Sequence, residues 1–155
     1  MSYPGIYRDG LTNRDKGIPF IEPDSNTHIE FFFKTFSITS AAAATAVNIV
    51  PESVVGAGRK VYVLDWGGKV DGATVWATTA NVKIQDTNGS PVDFATVLVA
   101  AMTANAELGK FTSGTAEDAL SFATGGTAGK GLQIKGDVNG TGSTFKGWVF
   151  GIIKG

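Results

Sequence analysis

The side chains able to carry covalent or metal chemistry are scarce in this chain, and their spacing works against them. There is no cysteine and a single histidine, His28. Thiol nucleophiles, disulfide frameworks and thiolate zinc sites are therefore excluded, and His28 has no second histidine or cysteine to join it as ligand or relay. Glu117 and Asp118 are adjacent, and neighbours on a strand point to opposite faces, so they do not make an acid–base pair. The run Gly125-Gly126-Thr127-Ala128-Gly129-Lys130-Gly131 comes near a phosphate-binding loop. Such a loop needs G-x-x-x-x-G-K-[ST]. Here Thr124 stands at the first position and Gly131 at the last, so the glycine that admits the phosphate and the hydroxyl that ligates magnesium are both missing. A glycine-rich turn before a strand accounts for the segment. Asp86-Thr87-Asn88-Gly89 begins like a calcium loop, but no glutamate follows at the spacing that closes one. Asn88-Gly89-Ser90 and Asn139-Gly140-Thr141 match the glycosylation sequon, which has consequence only in a secreted chain. The sequence thus nominates no catalytic, metal-ligating or cofactor-binding residue. Trp66, Trp76 and Trp148 could build a sugar-stacking platform, although alternating strand positions are equally what a core requires.

What must position any site is a scaffold of one domain's length. The chain has 155 residues, of which 43% are hydrophobic and only 17% charged, enough apolar material for a real core. Thirteen basic and fourteen acidic side chains give a net charge of -1, so there is no electrostatic case for nucleic acid or an anionic membrane. The opening Met-Ser-Tyr-Pro-Gly-Ile-Tyr-Arg-Asp-Gly has no basic region followed by an apolar stretch, and the expectation is a chain without a secretory signal.

From position 28 the pattern is that of strands. In 28–38, Ile29, Phe31 and Phe33 share one face, and Phe32, Phe36 and Ile38 share the other with Glu30 and Lys34. Apolar residues on both faces suit a strand covered by a core on one side and by an arm or neighbour on the other. Further strands are expected at 46–50, at 60–66 with Val61 and Val63 opposed to Tyr62, Leu64 and Trp66, and at 73–85 with Trp76, Val82 and Ile84 on one face. Gly67-Gly68 marks a break between the last two. Leu132-Gln133-Ile134 follows the glycine-rich run. The last strand, 145–153, sets Trp148, Phe150 and Ile152 against Val149 and Ile153. Asn-Gly pairs tolerate the positive φ of tight hairpin turns, so hairpins are expected at Asn88-Gly89 and Asn139-Gly140. Segment 92–108 carries both a helical stripe and an alternation, and reads as a strand running into one or two helical turns near Ala100–Asn105. The fold class is all-β, an antiparallel β-sandwich or barrel over 28–155.

Residues 1–27 differ. They hold seven charges (Arg8, Asp9, Arg14, Asp15, Lys16, Glu22, Asp24) and prolines at 4, 19 and 23, which disfavour helix and sheet ladders. Their apolar anchors are too many for a solvated tail, and an extended N-terminal arm lying along another surface fits them better. The candidate contact residues are Tyr3, Ile6, Tyr7, Leu11, Phe20 and Ile21, filling pockets, with Arg8 and Arg14 pairing at the rim.

With the hairpins placed, Val82–Gly89, Ala100–Ala106, Gly125–Ile134 and Gly147–Gly151 together resemble the head decoration (cement) proteins of tailed bacteriophages. The resemblance covers roughly 75 residues of turn-and-strand texture and leaves out the arm and the Phe-rich strand. It implies a non-enzymatic virion structural protein on the outer surface of a capsid, made in the host cytoplasm. The implied partners are the major capsid protein and further copies of itself, a trimer favoured. Another minor head protein or a small tail component stays open. So does a tail-associated or carbohydrate-binding β-sandwich contacting the host surface.

Overall fold

The computed structural model describes residues 7–9, 11–15, 29–77, 80–110, 115–117 and 125–155, of which 7–9, 11–15 and 115–117 are backbone only. In chain order the strands are β1 (Tyr7–Asp9), β2 (Leu11–Asp15), β3 (Ile29–Thr39), β4 (Val47–Val50), β5 (Lys60–Ala77), β6 (Val82–Asp86), β7 (Asp93–Val97), β8 (Glu107–Gly109), β9 (Thr115–Glu117), β10 (Leu132–Gly136) and β11 (Thr141–Lys154). A one-turn helix α1 (Glu52–Val55) precedes β5. One sheet has four strands in the order β3-β11-β5-β8, and the other has five in the order β4-β10-β6-β7-β9. Every pairing is antiparallel. The all-β expectation holds, and the form is a two-layer sandwich. Phe36, Val63, Trp66, Phe145 and Val149 of the first sheet share one core with Ile84, Phe94, Leu132 and Ile134 of the second. Each such burial contributes about 1.5–3 kcal/mol.

In β3 the alternation is as expected, with Phe32, Phe36 and Ile38 buried and Ile29, Phe31 and Phe33 facing out. Its register on β11 has a steric cause. Gly147 lies opposite Phe36 and Gly151 opposite Phe32. A Cβ on either glycine would come 2.6 Å from the facing ring's Cζ. Two phenylalanines four residues apart therefore lie across two glycines four residues apart, and a slip of the strand would separate both pairs.

Three expectations need correction. The strands expected at 60–66 and 73–85 are cut at the wrong place, because β5 runs unbroken through Gly67-Gly68 and ends only at Ala77. A Cβ on Gly68 would lie 2.7 Å from the Lys146 carbonyl, and one on Gly67 2.9 Å from the Trp148 ring. These glycines admit close approach by β11 rather than a turn. Trp66 was expected beside Tyr62 and Leu64 but is buried with Val61 and Val63. Phe150 pairs with Asp65 while Gly151 pairs with Val63, so Leu64 is an extra residue and this bulge turns Trp66 inward. Asn139-Gly140 is not a hairpin, since β10 and β11 belong to different sheets. The Asn139 Oδ1 accepts the Ala44 N–H at 2.8 Å and the Gly140 N–H donates to the Ser40 carbonyl at 2.8 Å, which ties the crossing to the turn after β3.

Asn88-Gly89 does lie in a hairpin loop, between the paired strands β6 and β7, but Gly89 has no positive φ. Segment 92–108 forms β7, a 3₁₀ turn at Val99–Ala101 and then β8, which is a strand entering a helical turn as expected. In the arm, β1 and β2 pair antiparallel, a ladder that the proline argument did not anticipate; the prolines at 4, 19 and 23 flank it rather than interrupt it.

Candidate interaction face

The two sandwich faces exposed to solvent differ in chemistry. On the five-stranded sheet, alternate outward positions carry Lys83, Gln133 and Lys135, and Lys83 pairs with Asp93 at 2.6 Å. On the four-stranded sheet, β3 and β11 present an aromatic ladder. Phe33 lies opposite Phe150 and Phe31 opposite Ile152. The rings stack on the diagonal, Phe31 on Phe150 at 6.2 Å and Phe33 on Trp148 at 5.7 Å. Such pairs are worth about 0.5–1.5 kcal/mol beyond their area, so each exposed ring is braced against its neighbour on the next strand. Ile29, Phe31 and Phe33 nonetheless stay 49%, 69% and 62% exposed. Isolated exposed apolar residues are ordinary, but a contiguous patch of large ones marks an interface.

The ladder is flanked on both sides. Toward the chain's end Lys154 sits 5.7 Å from the Tyr62 ring centroid, a cation–π contact. Toward β8 an open groove of ≈ 780 Å³ is lined by Gly67, Lys69, Glu107, Gly109, Lys146 and Trp148, among others. At its margin Lys146 pairs with Asp71 at 2.6 Å. That hydrogen bond and charge hold the Asp71 carboxyl below its ordinary value.

At the sandwich end near β6 and β10, two segments that the sequence singled out for chemistry meet and perform a structural task. Asp86 is fully buried. Its Oδ1 accepts the N–H groups of Asn88 and Val92, at 3.2 and 3.0 Å, and its Oδ2 accepts that of Thr127 at 2.7 Å. The β6–β7 loop is therefore organised by a carboxylate and not by an Asn-Gly turn, and the same carboxylate staples the glycine-rich run. Beside it the Thr87 hydroxyl donates to Glu52 at 2.6 Å and accepts the Gly131 N–H at 3.0 Å. The hydroxyl's hydrogen bond holds the Glu52 carboxyl below its ordinary value against a smaller opposing effect of burial, with Lys130, 3.4 Å away, adding to the lowering. Lys130 thus serves this ion pair.

Of the candidate contact residues, Tyr3, Ile6, Phe20 and Ile21 lie outside the described residues, as do His28 and Asp118. Tyr7 and Arg8 fall in β1, Leu11 and Arg14 in β2, and the backbone of Tyr7 is registered with that of Arg14. Phe31, Phe33, Trp148 and Phe150 were absent from that set. The signal that finds them is the match of Phe-x-Phe in the first long strand to Trp-x-Phe in the last, visible only once the strands are known to pair. Trp66 and Trp76 are core residues, and Trp148 alone of the three lies on the outer face. Among the described residues no three His, Asp or Glu side chains are grouped to hold a metal ion, and no helix is long and apolar enough to cross a membrane.

No family model matches the chain, and no curated protein matches its sequence. A solved structure described as a cyanophage Pam1 capsid asymmetric unit is similar to it, with a TM-score of 0.44 and 13% identity over 86% of this chain and 89% of that one. A likeness that distant carries no argument about role or partner.

Proposed function

We propose that the chain is a non-enzymatic virion structural protein that binds the outer surface of a phage capsid and stabilises contacts between capsomers. The observation that carries this reading is the aromatic ladder on one sheet of the sandwich, in which Phe31 and Phe33 are largely exposed and stack on half-buried Phe150 and Trp148, while the other outer face is polar. Small-molecule sites are concave and enclose their ligands, whereas exposed aromatic side chains on an outer sheet face suit a protein surface, where aromatic anchors dominate binding energy. The resemblance of 82–89, 100–106, 125–134 and 147–151 to decoration proteins supplies the kind of partner. In this reading the major capsid protein and further copies of the chain, as a trimer, are the surfaces met, and the arm (1–27) extends the contact to a neighbouring capsomer.

The test is co-sedimentation of the purified protein with capsids lacking it. Phe31→Glu with Phe33→Glu should abolish binding while the domain stays folded, its stability lowered by about 1–3 kcal/mol for the two lost stacks, because both rings are otherwise largely exposed. Deleting residues 2–24 should leave a folded domain that no longer protects particles from heat. Unchanged binding by the double variant would overturn the reading. A second reading, a carbohydrate-binding module, is favoured by the groove beside Trp148 with its polar rim. Glycan binding lost on Trp148→Ala, without capsid binding, would establish it instead.

A further inference from the structure

Asn-Gly pairs have a chemistry of their own. Because glycine carries no Cβ, its backbone nitrogen can approach the side-chain Cγ of the preceding asparagine. The nitrogen forms a bond to Cγ, the Cγ–Nδ2 bond breaks, and Nδ2 leaves as ammonia with the proton that the glycine nitrogen gives up. Water then opens the resulting succinimide at either carbonyl, leaving aspartate or isoaspartate. By sequence the two pairs here, at 88 and at 139, are equivalent. The structure separates them.

At 139 both reacting groups are engaged. The Asn139 Oδ1 accepts the Ala44 N–H at 2.8 Å, and the attacking nitrogen, that of Gly140, donates to the Ser40 carbonyl at 2.8 Å. Cyclisation there must give up both bonds and loosen the crossing between the two sheets. At 88 the attacking nitrogen is free, since the Gly89 N–H donates to no group among the described residues. Gly89 is exposed, and even an added Cβ would meet nothing within 4 Å. Among the described residues the side chain there is held by a single bond, Nδ2–H to the Ser90 carbonyl at 3.0 Å.

We infer that Asn88 is a site of spontaneous deamidation in the folded protein, with water as the co-reactant, and that the tertiary structure shields Asn139 from the same reaction. The product carries one more negative charge, loses the bond to Ser90 and places a carboxylate two residues from buried Asp86. It is an ageing mark on the stapled end of the sandwich and is independent of the proposed capsid role.

The experiment is incubation of the full-length protein at neutral pH followed by tryptic peptide mapping. The peptides 84–110 and 136–146 report the two sites, with fragment spectra locating the one-dalton gain. Folded protein should deamidate at 88 at least about fivefold faster than at 139, the factor that one additional net hydrogen bond supplies. The same protein in denaturant should bring the two rates together. Gly89→Ala, which adds a methyl group into open space, should keep the fold and slow the reaction at 88. Equal rates in the folded protein, or a ratio that denaturation leaves unchanged, would overturn the inference.

Discussion

Asp86→Ala strips the acceptor from the N–H groups of Asn88, Val92 and Thr127 at once. A hydrogen bond to a charged group contributes about 1.5–3 kcal/mol, and a buried donor left without a partner costs about 1–3 kcal/mol. The three are not additive. Asn88 sits in the β6–β7 loop and can turn its N–H to water, whereas Val92 and Thr127 lose their acceptor beside the Phe94 and Gly126 packing. The sum is about 3–5 kcal/mol, or roughly 10–20 °C in melting temperature for a domain of this size. Asp86→Asn separates charge and geometry from volume. Its amide oxygen can keep both bonds at the Oδ1 position, and its NH₂ then faces the Thr127 N–H, at a cost of about 2 kcal/mol. The assay is thermal and urea unfolding of the three proteins side by side, with the order native, Asn, Ala. An Asp86→Asn variant within about 0.5 kcal/mol of the unaltered protein, the range of neutral surface changes, would refute the account of this carboxylate as the staple of the loop end.

Gly151→Ala should destabilise the domain by about 3 kcal/mol, because the new methyl meets the Tyr62 carbonyl and the Phe32 ring; urea denaturation measures it, and a loss under 1 kcal/mol would show that β11 yields easily. Phe33→Ser should lower stability by only about 1 kcal/mol, the value of one aromatic stack, while Phe94→Ala, fully buried, should cost about 3–5 kcal/mol. Acidification should weaken the fold through Glu52 and Asp71. Both carboxyls titrate lower in the folded state than their ordinary values of 4.5 and 3.8, so their contribution is present above those values and is lost as pH falls through the folded ones. Thr87→Val should flatten the acid limb of a melting-temperature profile, and an unchanged limb would remove Glu52 from the explanation.

Much of the fold was legible in the residues. The alternation in 28–38 assigned each phenylalanine of β3 to its face, because a strand has a period of two whatever it pairs with. The strand-then-turn reading of 92–108 also held, and so did the place of the β6–β7 loop, though Asp86 and not a positive-φ Asn-Gly turn shapes it. The interaction face was legible only in part. Phe31 and Phe33 stood out as an apolar second face, but Trp148 and Phe150 join them through pairing across more than a hundred residues, which no local pattern contains.

Composition and period determined that this chain would be an all-β domain with a Phe-rich strand apolar on both sides, because backbone geometry and burial act residue by residue. Tertiary structure decided what the ambiguous residues do. Gly67-Gly68 is a point of close approach and not a break, because β11 crosses it. One extra residue at Leu64 turns Trp66 into the core. Asn139-Gly140 is a passage between sheets, because β10 and β11 find their partners elsewhere in the chain. A glycine or an Asn-Gly pair states only which conformations are permitted; which of them is taken depends on the side chains and carbonyls that the rest of the fold brings against it.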